Sequence, residues 1–273
     1  MFDLFNYDFF VYALIATVSI GIICGLTGTY IVARRMVFMS GGITHASFGG
    51  LGLAYFMGLP PMAGATFFAV ISAFIIQLFS GNKRVKEDSV IGILWSTGMA
   101  IGVLFIYMTP GYAPNLMSYL FGNILTVTSG QITLAVLLCA AVIAFFAIFN
   151  RPLFYIAFDR EYSRSHHIGI NLLETITTLI IALSIVLCMK LAGIILVISY
   201  LTIPQAIAGL FFKNFRSQLV ASAIVSCVGS VAGLFISAGL NFPSGATIVV
   251  CFLLIFAIAW FCKKIKIFKF YSK

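Results

Sequence analysis

A single histidine stands in the middle of an apolar, glycine-rich stretch. Residues 39–58 read MSGGITHASFGGLGLAYFMG, a segment long enough to cross a bilayer as a helix. If that helix starts near Met36, His45 lies about 13 Å along it at 1.5 Å per residue, near the middle of a hydrocarbon core about 30 Å thick. An ionisable ring at that depth is costly unless it faces protein or water, so it marks a functional position. Neutral imidazole is also a ligand for transition metals. The alternative is a packing histidine bonded to a carbonyl of a neighbouring helix. Gly41 and Gly49, one turn to either side of His45, are expected to leave room beside its ring for an ion or water. Ser40 and Thr44 are the nearby hydroxyls that would complete a weak contact. Gly42, Ala46, Gly50 and Ala54 form an adjacent small-xxx-small stripe, which lets a second helix backbone approach closely.

A second polar interruption falls in 192–212, which holds Tyr200, Thr202, Pro204 and Gln205. The proline frees a backbone carbonyl, and the uncharged polar groups around it either face a cavity or satisfy the break again. A third lies at NFPSGAT, where Pro243 is placed to start a helix and Ser244, Gly245 and Thr247 keep its end polar and narrow. Three such breaks in one bundle point to a pathway, with Ser40, Thr44, Tyr200, Thr202 and Gln205 as its candidate polar lining.

Other chemistry is missing from the sequence. No GxxxxGK[ST] is present to cradle nucleotide phosphates, and no HExxH, GxSxG or paired carboxylates offer hydrolytic machinery. No Asp or Glu lies deep in an apolar run, Glu174 being at the edge of one, so proton- or sodium-coupled transport lacks its usual carboxylate. His166 and His167 are adjacent, which on a helix points them about 100° apart and makes a poor chelate. The six cysteines fall singly in or beside apolar runs without CxxC spacing, so they read as small buried hydrophobes.

The elements that must position these residues are membrane helices. Of the 273 residues 62% are hydrophobic and 8% charged. Apolar runs bounded by charge, Gly or Pro give nine spans: 9–33, 36–57, 62–80, 89–108, 131–149, 172–189, 192–212, 217–238 and 244–262. The expected fold is an all-α polytopic membrane bundle of about eight or nine transmembrane helices, forming one transmembrane domain over 1–273. The net charge of +9 is confined to short loops and the tail and does not imply nucleic acid. Arg34 and Arg35, Lys83, Arg84 and Lys86, Arg151, Arg160 and Arg164, Lys213 and Arg216, and the lysines from 263 onward all share one side if the N-terminus is outside and the C-terminus cytosolic; Lys190 alone falls opposite. MFDLFNYDFF carries Asp3 and Asp8 and no basic residue before the first run, which argues against a cleaved signal peptide. Residues 117–126 are apolar but too short to span, so they read as a re-entrant or interfacial piece on the outer side. A continuous 172–212 helix would be about 60 Å long, twice the hydrocarbon core, so the chain must reverse near Lys190. The longest inside segment, 151–171, mixes aromatic and charged residues as a short amphipathic helix would, and its charge favours a docking surface over a connector.

In sequence order, ARRMVFMSGGITHASFGG (33–50), EDSVIGILWSTGMAIGVLF (87–105), YLFGNIL (119–125), AFDREYSRSHHIGI (157–170), ISYLTIPQAIAGL (198–210) and FPSGATIVV (242–250) resemble the permease subunits of bacterial metal-ion ABC importers, the zinc, manganese and iron uptake group. The resemblance covers the chain nearly end to end. It implies a homodimer in the bacterial plasma membrane with a pathway along its axis. It also implies two ABC ATPase subunits docked on the 151–171 loop through Asp159, Arg160, Glu161, Arg164 and Gly169, and an extracytoplasmic metal-binding protein delivering the ion. His45 falls on the histidine of that group's second-helix motif; many members have an aspartate four residues earlier, where this chain has Gly41. On this reading the subunit is non-catalytic, binds no resident cofactor and passes a divalent transition metal ion. Competing readings are a permease for a chelate such as haem, cobalamin or a siderophore, which would need a wide apolar cavity, and a membrane enzyme, which would need clustered ionisable groups at one interface.

Overall fold

The computed structural model describes residues 7–80, 85–110, 122, 124–158 and 170–271, with side chains up to 265. These residues form ten α-helices and one short 3₁₀ turn, Ile124–Thr126, with no strand among them. The helices are α1 (Asp8–Ala33), α2 (Val37–Phe56), α3 (Pro61–Phe79), α4 (Glu87–Met108), α5 (Ser129–Ile148), α6 (Asn150–Phe158), α7 (Ile170–Ala192), α8 (Ile194–Phe211), α9 (Phe215–Leu240) and α10 (Ser244–Tyr271). Eight of them are long and apolar enough to cross a membrane. The remaining long helix is α2: its 20 residues reach about 30 Å, but its glycines, serines and histidine dilute its apolar character.

Helix boundaries follow local chemistry. Pro61 opens α3 at a position where a missing N–H costs nothing. Thr128 and Gln131 close a capping box on α5, the Thr128 N–H donating to Gln131 Oε1 at 3.1 Å. Asn241 ends α9 in the left-handed region, at φ 56°. The 172–212 run breaks at Gly193, whose φ of +90° a Cβ would oppose, three residues past Lys190. The amphipathic segment expected at 151–171 is helical to Phe158, with Leu153 and Ile156 buried and Arg151, Phe154, Tyr155 and Phe158 exposed. Of the expected outer piece at 117–126, only Gly122 and the 3₁₀ turn, where Ile124 is buried, lie within the described residues.

Contacts divide the chain into two compact units, one of Met1–Ala33, Asn123–Phe154 and Ser199–Lys273, the other of Arg34–Gly122 and Tyr155–Ile198. The second unit is built around α2. A Cβ placed on Gly49 would meet Gly98 O of α4 at 2.7 Å, and one on Gly52 would meet Gly102 O at 2.5 Å. On its other flank Gly50 abuts the Gly64 backbone of α3. Residue numbers rise together along the α2–α4 contact, so these helices are parallel. Each interior glycine costs a helix about 1 kcal/mol relative to alanine. Backbone-to-backbone contact offsets that cost, because in lipid close packing replaces the hydrophobic effect as the force between helices. In the same unit Arg34 Nη1 pairs with Glu174 Oε1 at 3.0 Å, with the two side chains 14% and 6% exposed.

In the first unit α1 packs on α9 in the same manner: Gly25 would meet Ala223 Cα at 2.5 Å and Gly21 the Cys227 sulfur at 3.0 Å. Gly229 and Gly233 of α9 lie against Phe252 and Ile248 of α10. In both contacts numbers rise on one helix as they fall on the other, so α9 is antiparallel to α1 and to α10.

Candidate functional site

His45 projects from α2 onto α4. Its ring stacks on Trp95, with centroids 4.2 Å apart and planes 15° from parallel. Its Nδ1 lies 3.3 Å from the sulfur of Met99, one turn further along α4. His45, Trp95 and Met99 are all half-buried. The parallel glycine contact between α2 and α4 brings these three side chains together, because it leaves the two backbones too close for anything but flat packing. Trp95 and Met99 had no place in the expected site. Their i, i+4 spacing in LWSTGM, with one of the chain's two tryptophans, was the available signal.

The space expected beside the ring is not open where the glycines lie. A Cβ on Gly41 would come within 2.6 Å of Trp95 Cζ3, and Gly49 faces the Gly98 carbonyl. Both glycines admit α4, and the expectation of a vacancy there is corrected accordingly. Ser40 and Thr44 are fully buried, and each hydroxyl donates into its own helix, Ser40 to Val37 O at 2.7 Å and Thr44 to Ser40 O at 2.6 Å. Such back-bonding lets a hydroxyl sit in an apolar interior without a partner from another helix.

Within the other unit the proline break has a local answer. Pro204 has no N–H for the Tyr200 carbonyl four residues back. The Gln205 side chain supplies one, Nε2 donating to Tyr200 O at 3.1 Å and to Cys24 O of α1 at 2.8 Å. Gly28 of α1 makes the space for that amide. Tyr200 is fully buried with its ring edge-on to Phe252, centroids 5.1 Å apart, and Thr202 is half-buried. Gln205 Oε1, Ser222 Oγ and Ser226 Oγ are buried without a hydrogen-bond partner among the described residues. The docking candidates Asp159, Arg160, Glu161, Arg164 and Gly169 lie outside the described residues. No group of three or more His, Cys, Asp or Glu side chains able to hold a metal occurs among the described residues. All six cysteines are free thiols, four of them buried, Cys227 partly so and Cys262 exposed.

Eight helices long and apolar enough to cross a bilayer, packed through glycine contacts, make this a polytopic membrane protein. The profile of the ABC 3 transport family matches residues 6–263, and the chain belongs to that family. An uncharacterized membrane protein of Synechocystis is 35% identical over 249 residues, covering 91% of this chain and 89% of that protein. The manganese transport system membrane protein MntC of Halalkalibacterium halodurans is 33% identical over 259 residues, covering 95% and 89%. Among solved structures, PsaBC from Streptococcus pneumoniae in complex with Fab matches with a TM-score of 0.83 and 30% identity, covering 94% of this chain and 93% of that one. The chain is thus a multi-pass transport subunit of an ABC system.

Proposed function

We propose that this permease passes a divalent transition metal ion into the cell, with His45 as a transient contact for the ion on its way. The observation that carries the reading is the half-exposed His45 ring, held flat by Trp95 on the glycine-rich α2, in a chain similar over nearly its whole length to a manganese transport membrane protein. The cargo class is zinc, manganese or iron. The subunit is itself non-catalytic and carries no resident cofactor. An ATPase partner docks on the cytosolic 151–171 segment, where Asp159, Arg160, Glu161, Arg164 and Gly169 follow the exposed aromatic face of α6. A second copy of the chain and an extracytoplasmic metal-binding protein complete the importer.

The orientation is N-terminus outside, C-terminus cytosolic, with 1–273 acting as one permease domain. Supporting termini on opposite sides, α1 is antiparallel to α9 and α2 parallel to α4, as the first, eighth, second and fourth crossings of a nine-span chain must be; which side is cytosolic rests on the basic loops. The basic loops alternate in the same sense.

The test is co-purification of the chain with an ABC ATPase from its own host, followed by metal-dependent ATP hydrolysis and uptake of Mn²⁺ and Zn²⁺ into vesicles. Metal-stimulated hydrolysis with ion accumulation is the expected result. An assembly that hydrolyses ATP for a metal chelate and ignores the free ions would favour the chelate reading. Charge reversal at both Asp159 and Glu161 should uncouple hydrolysis from uptake in a bundle that still folds.

A further inference from the structure

The parallel packing of α2 and α4 places a nitrogen and a sulfur at a distance with two meanings. His45 Nδ1 is 3.3 Å from Met99 Sδ. If Nδ1 is protonated, this is a weak N–H···S hydrogen bond. It also falls in the bite of a bound metal: bonds of about 2.0 Å to nitrogen and at least the roughly 2.3 Å of a zinc–thiolate bond to sulfur put the two atoms roughly 3.1 Å or a little more apart at a right angle and roughly 3.5 Å or more at the tetrahedral angle. The stacked Trp95, 4.2 Å away, holds the plane of the imidazole, and in that plane the Nδ1 edge is the one turned to the sulfur. All three side chains are half-exposed, which leaves an approach to the pair. One turn before His45, the indole lies against Gly41 and no carboxylate stands there.

We propose that Met99 is a second ligand beside His45, and that the pair favours ions that accept thioether sulfur, zinc over manganese. The inference rests on the reading of His45 as a metal contact. Imidazole and thioether are neutral donors of intermediate and soft character. Manganese is the weakest binder of the first-row series and prefers carboxylate, carbonyl and water oxygens. A two-point neutral contact leaves the remaining positions of the ion to water and does not cancel its charge, so the ion is oriented without being trapped.

The experiment uses the full-length chain in lipid nanodiscs with methyl-¹³C methionine. The Met99 methyl among the nine methionines is assigned as the resonance lost in Met99→Leu. Titration with ZnCl₂ should shift the Met99 methyl at a concentration at least tenfold below that at which MnCl₂ broadens it, and His45→Asn should abolish the zinc shift. In the assembled transporter, Met99→Leu keeps the side-chain volume but removes the sulfur, and should lower the ratio of zinc to manganese uptake at least tenfold. An unmoved Met99 methyl under zinc, or an unchanged uptake ratio in a transporting Met99→Leu assembly, overturns the proposal while leaving a His45 contact standing. Absence of any metal uptake by the wild-type assembly contradicts the underlying permease reading, and this proposal with it.

Discussion

Two side chains show how polar groups are held in this interior. Gln205 replaces the N–H that Pro204 lacks and ties α8 to α1 through Cys24 O. Gln205→Leu removes the side-chain donor to the Tyr200 and Cys24 carbonyls, a cost of about 1–3 kcal/mol for buried polar groups. Thermal unfolding in detergent should show that loss, and adding Pro204→Ala, which restores the backbone N–H, should recover part of it. An equal loss with and without Pro204→Ala would mean that the link to α1 carries the whole effect. The Arg34–Glu174 pair is similarly enclosed. Arg34→Ala removes the guanidinium from a buried carboxylate and should destabilise by about 3–5 kcal/mol, whereas Arg34→Met with Glu174→Leu removes both charges and should cost far less. Equal melting temperatures for the two variants would show the pair to be solvated.

At the scale of elements, glycine sets which helices touch. Gly98 and Gly92 lie on the same helix, but a Cβ at Gly98 would collide with the Ala46 backbone of α2, while one at Gly92 meets nothing within 4 Å. Gly98→Ala should therefore lower the yield of folded protein and part His45 from Trp95, and Gly92→Ala should be neutral or stabilising by up to about 1 kcal/mol. Size-exclusion profiles and tryptophan emission of the two variants check this, and matching behaviour would remove the close-contact account of α2–α4.

The helices themselves were legible in the sequence. Apolar runs closed by charge, Gly or Pro marked nine of them to within a few residues at most ends, and the length limit of a bilayer placed the break that Gly193 makes. The C-terminal helix runs past its expected end at 262, to Tyr271, because lysines do not stop a helix once it leaves the hydrocarbon. Helix partners were not legible. The same four-residue glycine spacing suits a vacancy or a neighbouring backbone, and only the fold shows that Trp95 and Gly98 take the space beside Gly41 and Gly49. His45 could be picked from its depth alone, but Met99 and Trp95 lie about fifty residues away in sequence, and their i, i+4 spacing puts them on one helix face without saying which helix that face meets.

The whole molecule is an ABC 3 family permease, and its glycine-rich α2 carries the imidazole proposed as the contact for the ion. Orientation is tested by single cysteines at Asn6 and Ser272 in a background lacking the native thiols. The first should react only from outside and the second only from the cytosol; labelling of both from one side would break the nine-span order. The proposed His45 contact is tested by metal uptake in the assembled transporter carrying His45→Asn or His45→Ala. Asparagine can hydrogen-bond in the same place but is a poor ligand for a transition metal, so it separates a ligand from a packing residue. Both variants should insert and assemble normally and lose most of their uptake. Normal transport by His45→Asn, alongside poor assembly of His45→Ala, would contradict it and make His45 a packing residue.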